Sequence, residues 1–348
     1  MGTVLESWHG AMAPRPAKSK AQRPWRRVGT PESGFEYLRG DGKPLRSAPA
    51  LARIRALAIP PAWTGVHISP DAAAKVQAYG TDAAGRKQYR YHPESIAKGA
   101  RKKYRKLLDY ARALPRLREA TEQHLQREGV GRERVLATVV RLMMRGFFRI
   151  GSEEYAVTNK TFGIATLQKK HLKVQGNSLV FTYIGKKSIH QRTFVADTPL
   201  VDVMGEILAL PGRRLFQFVD ELGTVRPVTA ADVNGYIKQI LGTSYTSKDI
   251  RTWGGTVRMA TILADLGPPA GEREARKNLV LACKLVSTEL GNTPSVCRSA
   301  YVHPAVMERY AEGKTIAPLM REAPRDDEQP GRYYPEEAAL MRFLQTWG

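Results

Sequence analysis

The period of the hydrophobic pattern changes along this chain, and the positions of those changes limit its architecture more than any other feature. From Trp25 to about Tyr91, short apolar segments alternate with turn signals at Gly40-Asp41-Gly42-Lys43-Pro44, Pro60-Pro61, Ser69-Pro70-Asp71 and Gly80-Thr81-Asp82. Val66, Ile68, Tyr79, Tyr89 and Tyr91 supply β-branched and aromatic side chains, so this stretch predicts a small sheet-rich domain. At Pro93 the texture turns helical. Glu94–Leu114 sets apolar residues among Lys98, Arg101, Lys102, Lys103, Arg105 and Lys106, the pattern of a basic amphipathic helix. Pro115 then separates it from a second charged helix, and Arg134–Phe148 turns Val135, Val139, Leu142, Met143 and Phe147 toward a buried face.

Period two returns once. Leu172–Gln175, Ser178–Ile184 and Ser188–Val195 alternate apolar and polar residues, with Gly176-Asn177 and Gly185-Lys186-Lys187 as hairpin turns, which predicts a three-stranded antiparallel insert. Helical patterns resume at Leu200–Leu210, Ala231–Leu241, Asp249–Leu266 and Glu272–Leu290, and Gly267-Pro268-Pro269 breaks the last two apart. The expected fold class is α+β: a small N-terminal antiparallel β-sheet domain over 24–100 and a larger, mainly α-helical domain over 101–348, with its β insert at about 163–195. Residues 1–23 read as a flexible basic tail or leader, and Glu322 to Gly331 as a loose charged stretch.

With that division in hand, the charge balance bears on partners. The chain has 348 residues, and 55 Lys+Arg against 33 Asp+Glu leave a formal charge of +22. An excess of this size calls for a polyanionic partner, and nucleic acid is the commonest one for a soluble protein; simple solubility is the plain alternative. No secretory signal and no run of about 18 apolar residues is present, so a cytoplasmic chain with no membrane partner is expected. Cys283 and Cys297 are too few for a disulfide framework or a cysteine zinc site and read as small core residues.

Several familiar chemistries lack their motifs. There is no Gly-x-x-x-x-Gly-Lys-Ser/Thr loop, no His-Glu-x-x-His and no Gly-x-Ser-x-Gly elbow. The seven His residues are scattered, and His303 before Pro304 reads as a turn or surface residue. What remains is a set of basic residues in positions read as exposed. Arg149, amid Phe147-Phe148 and Ile150, either pairs with Glu153 or Glu154 or awaits an anion. Lys186 stands at a hairpin tip, as a solvated turn lysine or as a cation reaching into a groove. Arg251, in Lys248-Asp249-Ile250-Arg251-Thr252-Trp253, opens a helix and is either an ordinary surface charge or part of a phosphate site. Asn292-Thr293-Pro294 has the form of a helix entry, with Thr293 as its cap, and Asn292 is then a turn residue or a donor. Tyr301 follows, near Arg298. Together, two guanidiniums, a lysine, an amide and a phenol are the groups needed to cleave a phosphodiester: the phenol attacks, the Arg donors stabilise the equatorial oxygens, and an acid protonates the leaving alkoxide.

These segments, taken in order, resemble type IB DNA topoisomerases, most closely the compact bacterial and poxvirus-like members. The blocks are Arg149-Ile150-Gly151, Gly185-Lys186-Lys187, Lys248–Trp253 and Gly291-Asn292-Thr293-Pro294-Ser295-Val296-Cys297-Arg298-Ser299-Ala300-Tyr301. Pro60-Pro61-Ala62-Trp63-Thr64 and Gly85-Arg86-Lys87-Gln88-Tyr89-Arg90-Tyr91-His92-Pro93 are similar to that family's DNA-clamp domain, so the resemblance spans about 25–312. It implies two domains forming a clamp around duplex DNA, and a monomer acting without ATP, metal or small-molecule cofactor. It implies that Tyr301 is the nucleophile and forms a 3′-phosphotyrosyl link, that Arg149 and Arg251 hold the non-bridging oxygens, that Asn292 donates to one of them, and that Lys186 is the general acid. Arg86, Lys87, Gln88, Tyr89, Tyr91 and Tyr155 match positions that touch DNA. The implied outcome is relaxation of positive and negative supercoils in a cytoplasmic, nucleoid-associated setting.

One departure stands out: eukaryotic and poxvirus enzymes carry His where this chain has Asn292, so the donor here is an uncharged amide. Two rival readings come from other classes. A tyrosine site-specific recombinase shares the Arg, Lys, Arg and Tyr set but usually shows His-x-x-Arg where this chain has Lys248-Asp249-Ile250-Arg251. A non-catalytic basic DNA-binding protein needs only the charge.

Overall fold

The computed structural model describes residues 23–321 and 333–345. The expected leader, apart from Arg23, and the charged stretch Glu322–Gly331 lie outside the described residues. The chain divides into two compact units between Lys102 and Lys103.

The first unit is a five-stranded antiparallel sheet with one helix. Its elements are β1 (Trp25–Thr30), β2 (Gly34–Leu38), α1 (Ala48–Ala56), β3 (Thr64–Ile68), β4 (Val76–Thr81) and β5 (Lys87–Tyr91), in the spatial order β2-β1-β3-β4-β5. Alternation decides which face is covered. Val66, Ile68 and Ala78 join Ile54 of α1 and Leu45 in a core flanked by Trp25, Tyr37 and Trp63. Their neighbours in sequence therefore point the other way: His67 pairs with Tyr79, and Tyr79 with Tyr89, in one cross-strand row.

The second unit contains most of α2 (Pro93–Leu125), then α3 (Arg132–Gly146), α4 (Glu153–Thr158), β6 (Leu172–Gln175), β7 (Ser178–Gly185), β8 (Ile189–Ala196), α5 (Thr198–Ala209), β9 (Gln217–Val219), β10 (Val225–Pro227), α6 (Ala230–Leu241), α7 (Ser247–Leu266), α8 (Glu272–Leu290), α9 (Pro294–Ala300), α10 (Pro304–Ala311), α11 (Ala317–Arg321) and α12 (Pro335–Gln345). α3 lies at its centre, packed against α5, α6 and α7, with Val135, Leu136, Val139, Val140, Leu142 and Met143 fully enclosed. The insert is the antiparallel sheet β6-β7-β8, and β7 and β8 pair from Ser178↔Ala196 to Gly185↔Ile189.

One expectation fails here, and one element went unforeseen. Pro115 does not end a helix; α2 runs through it. An interior proline removes one hydrogen bond and costs about 3 kcal/mol, but Tyr110, Ala111, Leu114 and Leu117 on either side are almost wholly buried, and their packing offsets that loss. β9 and β10 form a hairpin around Gly223 that the short, weakly alternating segments did not signal.

Candidate active site

The site begins where α3 ends. Gly146 is its last residue, and Phe147 takes the left-handed conformation (φ 52°, ψ 32°), its N–H donating to the Met143 carbonyl. A non-glycine residue there is uncommon, and the chain turns sharply. The Phe147 ring lies against Gly254 of α7, where an added Cβ would fall 2.1 Å from it. Phe148, fully buried, packs on Phe181 and Tyr183 of β7 with ring centroids 4.9 and 6.2 Å away. These two rings tie the end of α3 to α7 and to the insert, and Arg149 follows them directly in the chain. Its Nη2 donates to the Gly291 carbonyl at 2.9 Å, while Glu153 is engaged by Arg214 at 2.5 Å. The pairing of Arg149 with Glu153 or Glu154 is therefore not made; position in the turn, rather than closeness in sequence, selects the partner.

Arg251 is only 4% exposed, which removes the ordinary surface charge from its two readings. One Nη donates to the Phe147 carbonyl, the other to the Leu290 carbonyl at 2.7 Å, and Nε is buried with no hydrogen-bond partner. Burial lowers the pKa of this guanidinium, and the neighbouring Arg149 adds to that effect, while Tyr301 opposes it. No carboxylate forms an ion pair with Arg149 or Arg251 among the described residues. Two cations held by neutral carbonyls, Arg251 almost wholly buried and Arg149 half-buried, are placed to meet an anion from outside the chain.

Tyr301 reaches the same guanidinium from the side of α8 and α9. Gly291 ends α8 in the left-handed region (φ 60°), where a Cβ would strike the Gln191 carboxamide at 2.2 Å. Thr293 then caps α9, accepting from Val296 N–H, with Pro294 at the first helical position. Tyr301 closes the helix, its N–H donating to the Cys297 carbonyl at 3.0 Å, and the Arg251 guanidinium carbon lies 5.1 Å from its ring centroid. Burial pushes the phenol pKa up, but the fields of Arg251 and Arg149 and a hydrogen bond with Arg251 outweigh it, so the pKa falls below the ordinary tyrosine value. Asn292 sits between these groups in sequence, and both Nδ2 and Oδ1 of its side chain are buried without a partner. A buried amide left unpaired costs on the order of 1–3 kcal/mol per group, and a ligand that met it would recover that cost.

Lys186 is placed differently. It opens a tight turn from Lys186 to Ser188, in which Lys187 and Ser188 have positive φ (63° and 57°), and its side chain is exposed. Its neighbour Gly185 lines a narrow cleft together with Arg149, Tyr183, Gln191 and Arg251. Tyr155 is exposed on α4, and no described contact joins it to that cleft.

In the first unit, Lys87, Tyr89 and Tyr91 share the open face of β5, with the Lys87 ammonium 4.6 Å from the Tyr79 ring centroid. Gln88 alternates to the other face and donates to Asp82 at 2.9 Å. Arg86 pairs with the same carboxylate at 2.8 Å, and with the Arg86 bond first among its causes the Asp82 pKa falls to about 2. Sequence reasoning assigned no DNA role to His67 or Tyr79. His67 stacks on Tyr79 at 5.0 Å, and Tyr79 lies 6.3 Å from Tyr89, a row that strand alternation could have extended from Tyr89.

His303 is a further correction. It is buried and caps α10, its Nδ1 accepting from Ala305 N–H at 3.2 Å; burial, then Lys103, lowers its pKa to about 4. Both cysteines are buried. Among the described residues no group of three or more His, Cys, Asp and Glu gathers as a metal site, and no described helix is long and apolar enough to cross a membrane.

The site thus sets a phenol beside two carbonyl-anchored guanidiniums on a helical unit that also carries a lysine-tipped hairpin. The family model for the catalytic core of eukaryotic DNA topoisomerase I matches residues 93–325, and that for the N-terminal domain of bacterial DNA topoisomerase IB matches 34–82. DNA topoisomerase 1B of Acanthamoeba polyphaga mimivirus is 30% identical over 283 residues, covering 79% of this chain and 84% of the viral protein. DNA topoisomerase 1B of Vaccinia virus (strain Copenhagen) is 23% identical over 238 residues, 66% of this chain and 70% of its own. Among solved structures, the XerH site-specific recombinase bound to difH substrate aligns with a TM-score of 0.36 and 15% identity, over 54% of this chain and 48% of that one. The chain belongs to the type IB DNA topoisomerase family and is a DNA topoisomerase I enzyme.

Proposed function

We propose that the enzyme, acting as a cytoplasmic monomer on the nucleoid, relaxes positive and negative supercoils in duplex DNA by nicking one strand, allowing rotation and resealing the nick, with no requirement for ATP or metal. The Tyr301 oxygen attacks the scissile phosphorus, an O–P bond to tyrosine forms, and the P–O5′ bond breaks. Lys186 gives its proton to the departing 5′ oxygen, and the phenol proton leaves to solvent. The 3′-phosphotyrosyl link conserves the bond energy, and reversal by the 5′ hydroxyl reseals the strand. Arg149 and Arg251 stabilise the equatorial oxygens, and Asn292 donates to one of them.

The observation that carries this reading is the Tyr301 phenol beside the buried, carboxylate-free Arg251 guanidinium. On the first unit, the open face bearing Lys87, Tyr89 and Tyr91 suits phosphates and sugars or bases, and Arg86 and Gln88 add contacts, as does Tyr155 on the second unit. The +22 charge supports several phosphate contacts, for which log–log binding falls with salt at a slope of about −0.9 per neutralised phosphate.

The test is relaxation of supercoiled plasmid in EDTA without ATP, comparing the native chain with Tyr301→Phe and adding detergent to trap covalent complexes. The native chain should relax both supercoil signs and leave protein on 3′ ends, and the variant should do neither. Plasmid bound but never nicked by the native chain would overturn the mechanism.

A further inference from the structure

The nucleophile stands just past the end of a seven-residue helix, where helical hydrogen bonding runs out. The last carbonyls of a helix have no partners within it, so the backbone around Tyr301 takes its position from whatever else binds those carbonyls. Three donors bind the carbonyls of Ala300, Tyr301 and Val302, the last residue of the helix and the two that follow it. Lys103 Nζ donates to the Ala300 carbonyl at 2.6 Å, and Tyr104 Oη donates to the Val302 carbonyl at 2.9 Å. Between them, the Thr256 hydroxyl is shared between the Thr252 carbonyl at 2.8 Å and the Tyr301 carbonyl at 3.3 Å. Thr256 also accepts from His303 N–H at 3.2 Å, so one buried hydroxyl holds the backbone at the nucleophile and two residues beyond it.

Lys103 is an expensive choice for a structural role. It is half-buried, Lys248 lies near it, and the adjacent Asp249 carboxylate is already taken by Lys106 at 2.8 Å. Burial first, then Lys248, lowers its pKa to about 8 against the opposing pull of Asp249. A methionine of similar length would fill the same space without that desolvation cost. Among the described residues the one hydrogen bond of the ammonium goes to the carbonyl next to Tyr301, and it also lies 4.7 Å from the Tyr104 ring centroid.

We infer that Lys103 and Tyr104, with Thr256, form a backbone clamp whose role is to position Tyr301 for in-line attack. The inference rests on the phosphotyrosine reading of the site. These are positioning residues: they grip the chain on either side of the nucleophile and touch no reacting atom. In-line attack requires the phenol oxygen and phosphorus to approach closely in one orientation, and a displacement of about 1 Å can cost on the order of 100-fold in rate.

The experiment is single-turnover cleavage and religation of a suicide duplex by the full chain, with Lys103→Met, Lys103→Arg and Tyr104→Phe. Lys103→Met should slow cleavage and religation by the same factor, about 10- to 100-fold, and leave DNA affinity and the cleavage–religation equilibrium unchanged. Lys103→Arg should recover most of the rate. A substrate with sulfur at the bridging 5′ position should leave the Lys103→Met deficit in place, because no proton is missing. Tyr104→Phe should show the same pattern with a smaller loss. A native rate for Lys103→Met, a loss carried by affinity, or rescue by sulfur would each overturn the clamp. Should Lys103→Met fail to fold, Tyr104→Phe, which removes one hydroxyl, decides by the same criteria. If the native chain itself forms no covalent complex, it is the phosphotyrosine reading that falls.

Discussion

Two parts of the catalytic unit treat their charged side chains in opposite ways. Around Arg149 and Arg251, each guanidinium is fixed by backbone carbonyls of other segments, Gly291 for one, Phe147 and Leu290 for the other. At the tip of the β7–β8 hairpin, Lys186 is exposed and makes no hydrogen bond or ion pair among the described residues. The contrast suits the two different tasks proposed for these groups. Stabilising developing charge on phosphate oxygens benefits from donors that need no reorganisation when the reaction occurs. Giving up a proton requires a group that can exchange with solvent between turnovers, and a buried, carbonyl-bound cation does that poorly.

The strongest way to break this contrast is Arg251→Ala. It removes the donor and also leaves the Phe147 and Leu290 carbonyls unpaired in a buried place. Cleavage should fall by about 10³-fold, the upper range for losing one such donor, and stability should fall by roughly 1–3 kcal/mol for the unpaired carbonyls. Single-turnover cleavage and thermal melting measure the two effects. Arg251→Lys should recover little, because an ammonium cannot span both carbonyls as the fork does. A variant that melts like the native protein would show that the anchoring contributes nothing to the fold.

Lys186→Ala is the next largest, and here the expected pattern is reversed. Cleavage should drop roughly 10²- to 10³-fold, within the range for losing a general acid, with no change in melting, since the exposed side chain supports nothing around it. A 5′-bridging sulfur, a leaving group that needs no proton, should restore most of the rate. Failure of that rescue would move the acid role elsewhere, to Arg149 in the first instance.

How much of this could be read from sequence depends on how local each cause is. The β6–β8 hairpins followed from alternation and Gly-containing turns, and the Thr293 cap from the Thr-Pro pair that opens α9. α8 has the bounds its pattern gives, Glu272–Leu290. The path of α2 through Pro115 was not legible, because the packing that overrides the proline comes from distant segments. Nor was the burial of Arg251, whose partners are carbonyls 104 and 39 residues away. The residue types at Arg149, Arg251, Asn292 and Tyr301 suggested phosphodiester chemistry, but the grip of Lys103 on Ala300, 197 residues apart, leaves no trace in composition or period.

Asn292 refines the contrast on a smaller scale. Its amide is buried and unpaired, so the anchored half of the site is incomplete at this one position. Asn292→Leu keeps the side-chain shape and removes both polar atoms. Cleavage should slow by about tenfold, below the loss for a charged donor, while melting holds or rises by the recovered desolvation cost. A drop in melting temperature would mean the amide already has a structural partner.

The smallest expected effect concerns the phenol, and it separates the two halves by pH. With the sulfur substrate the proton from Lys186 is no longer needed, so the remaining pH dependence of cleavage reports Tyr301. On the proposed mechanism the phenolate attacks, so the rate should rise with pH and level off near the phenol pKa. Burial raises that pKa, but Arg251 and Arg149 pull it below the ordinary tyrosine value. The plateau should therefore begin below pH 10, the usual range for tyrosine. Arg149→Ala removes one of the two guanidiniums, so the ascending limb should move to higher pH, whereas Lys186→Ala should leave it in place. The arginines would then act on the nucleophile as well as on the phosphate, and a limb that stays put in Arg149→Ala would confine them to the phosphate.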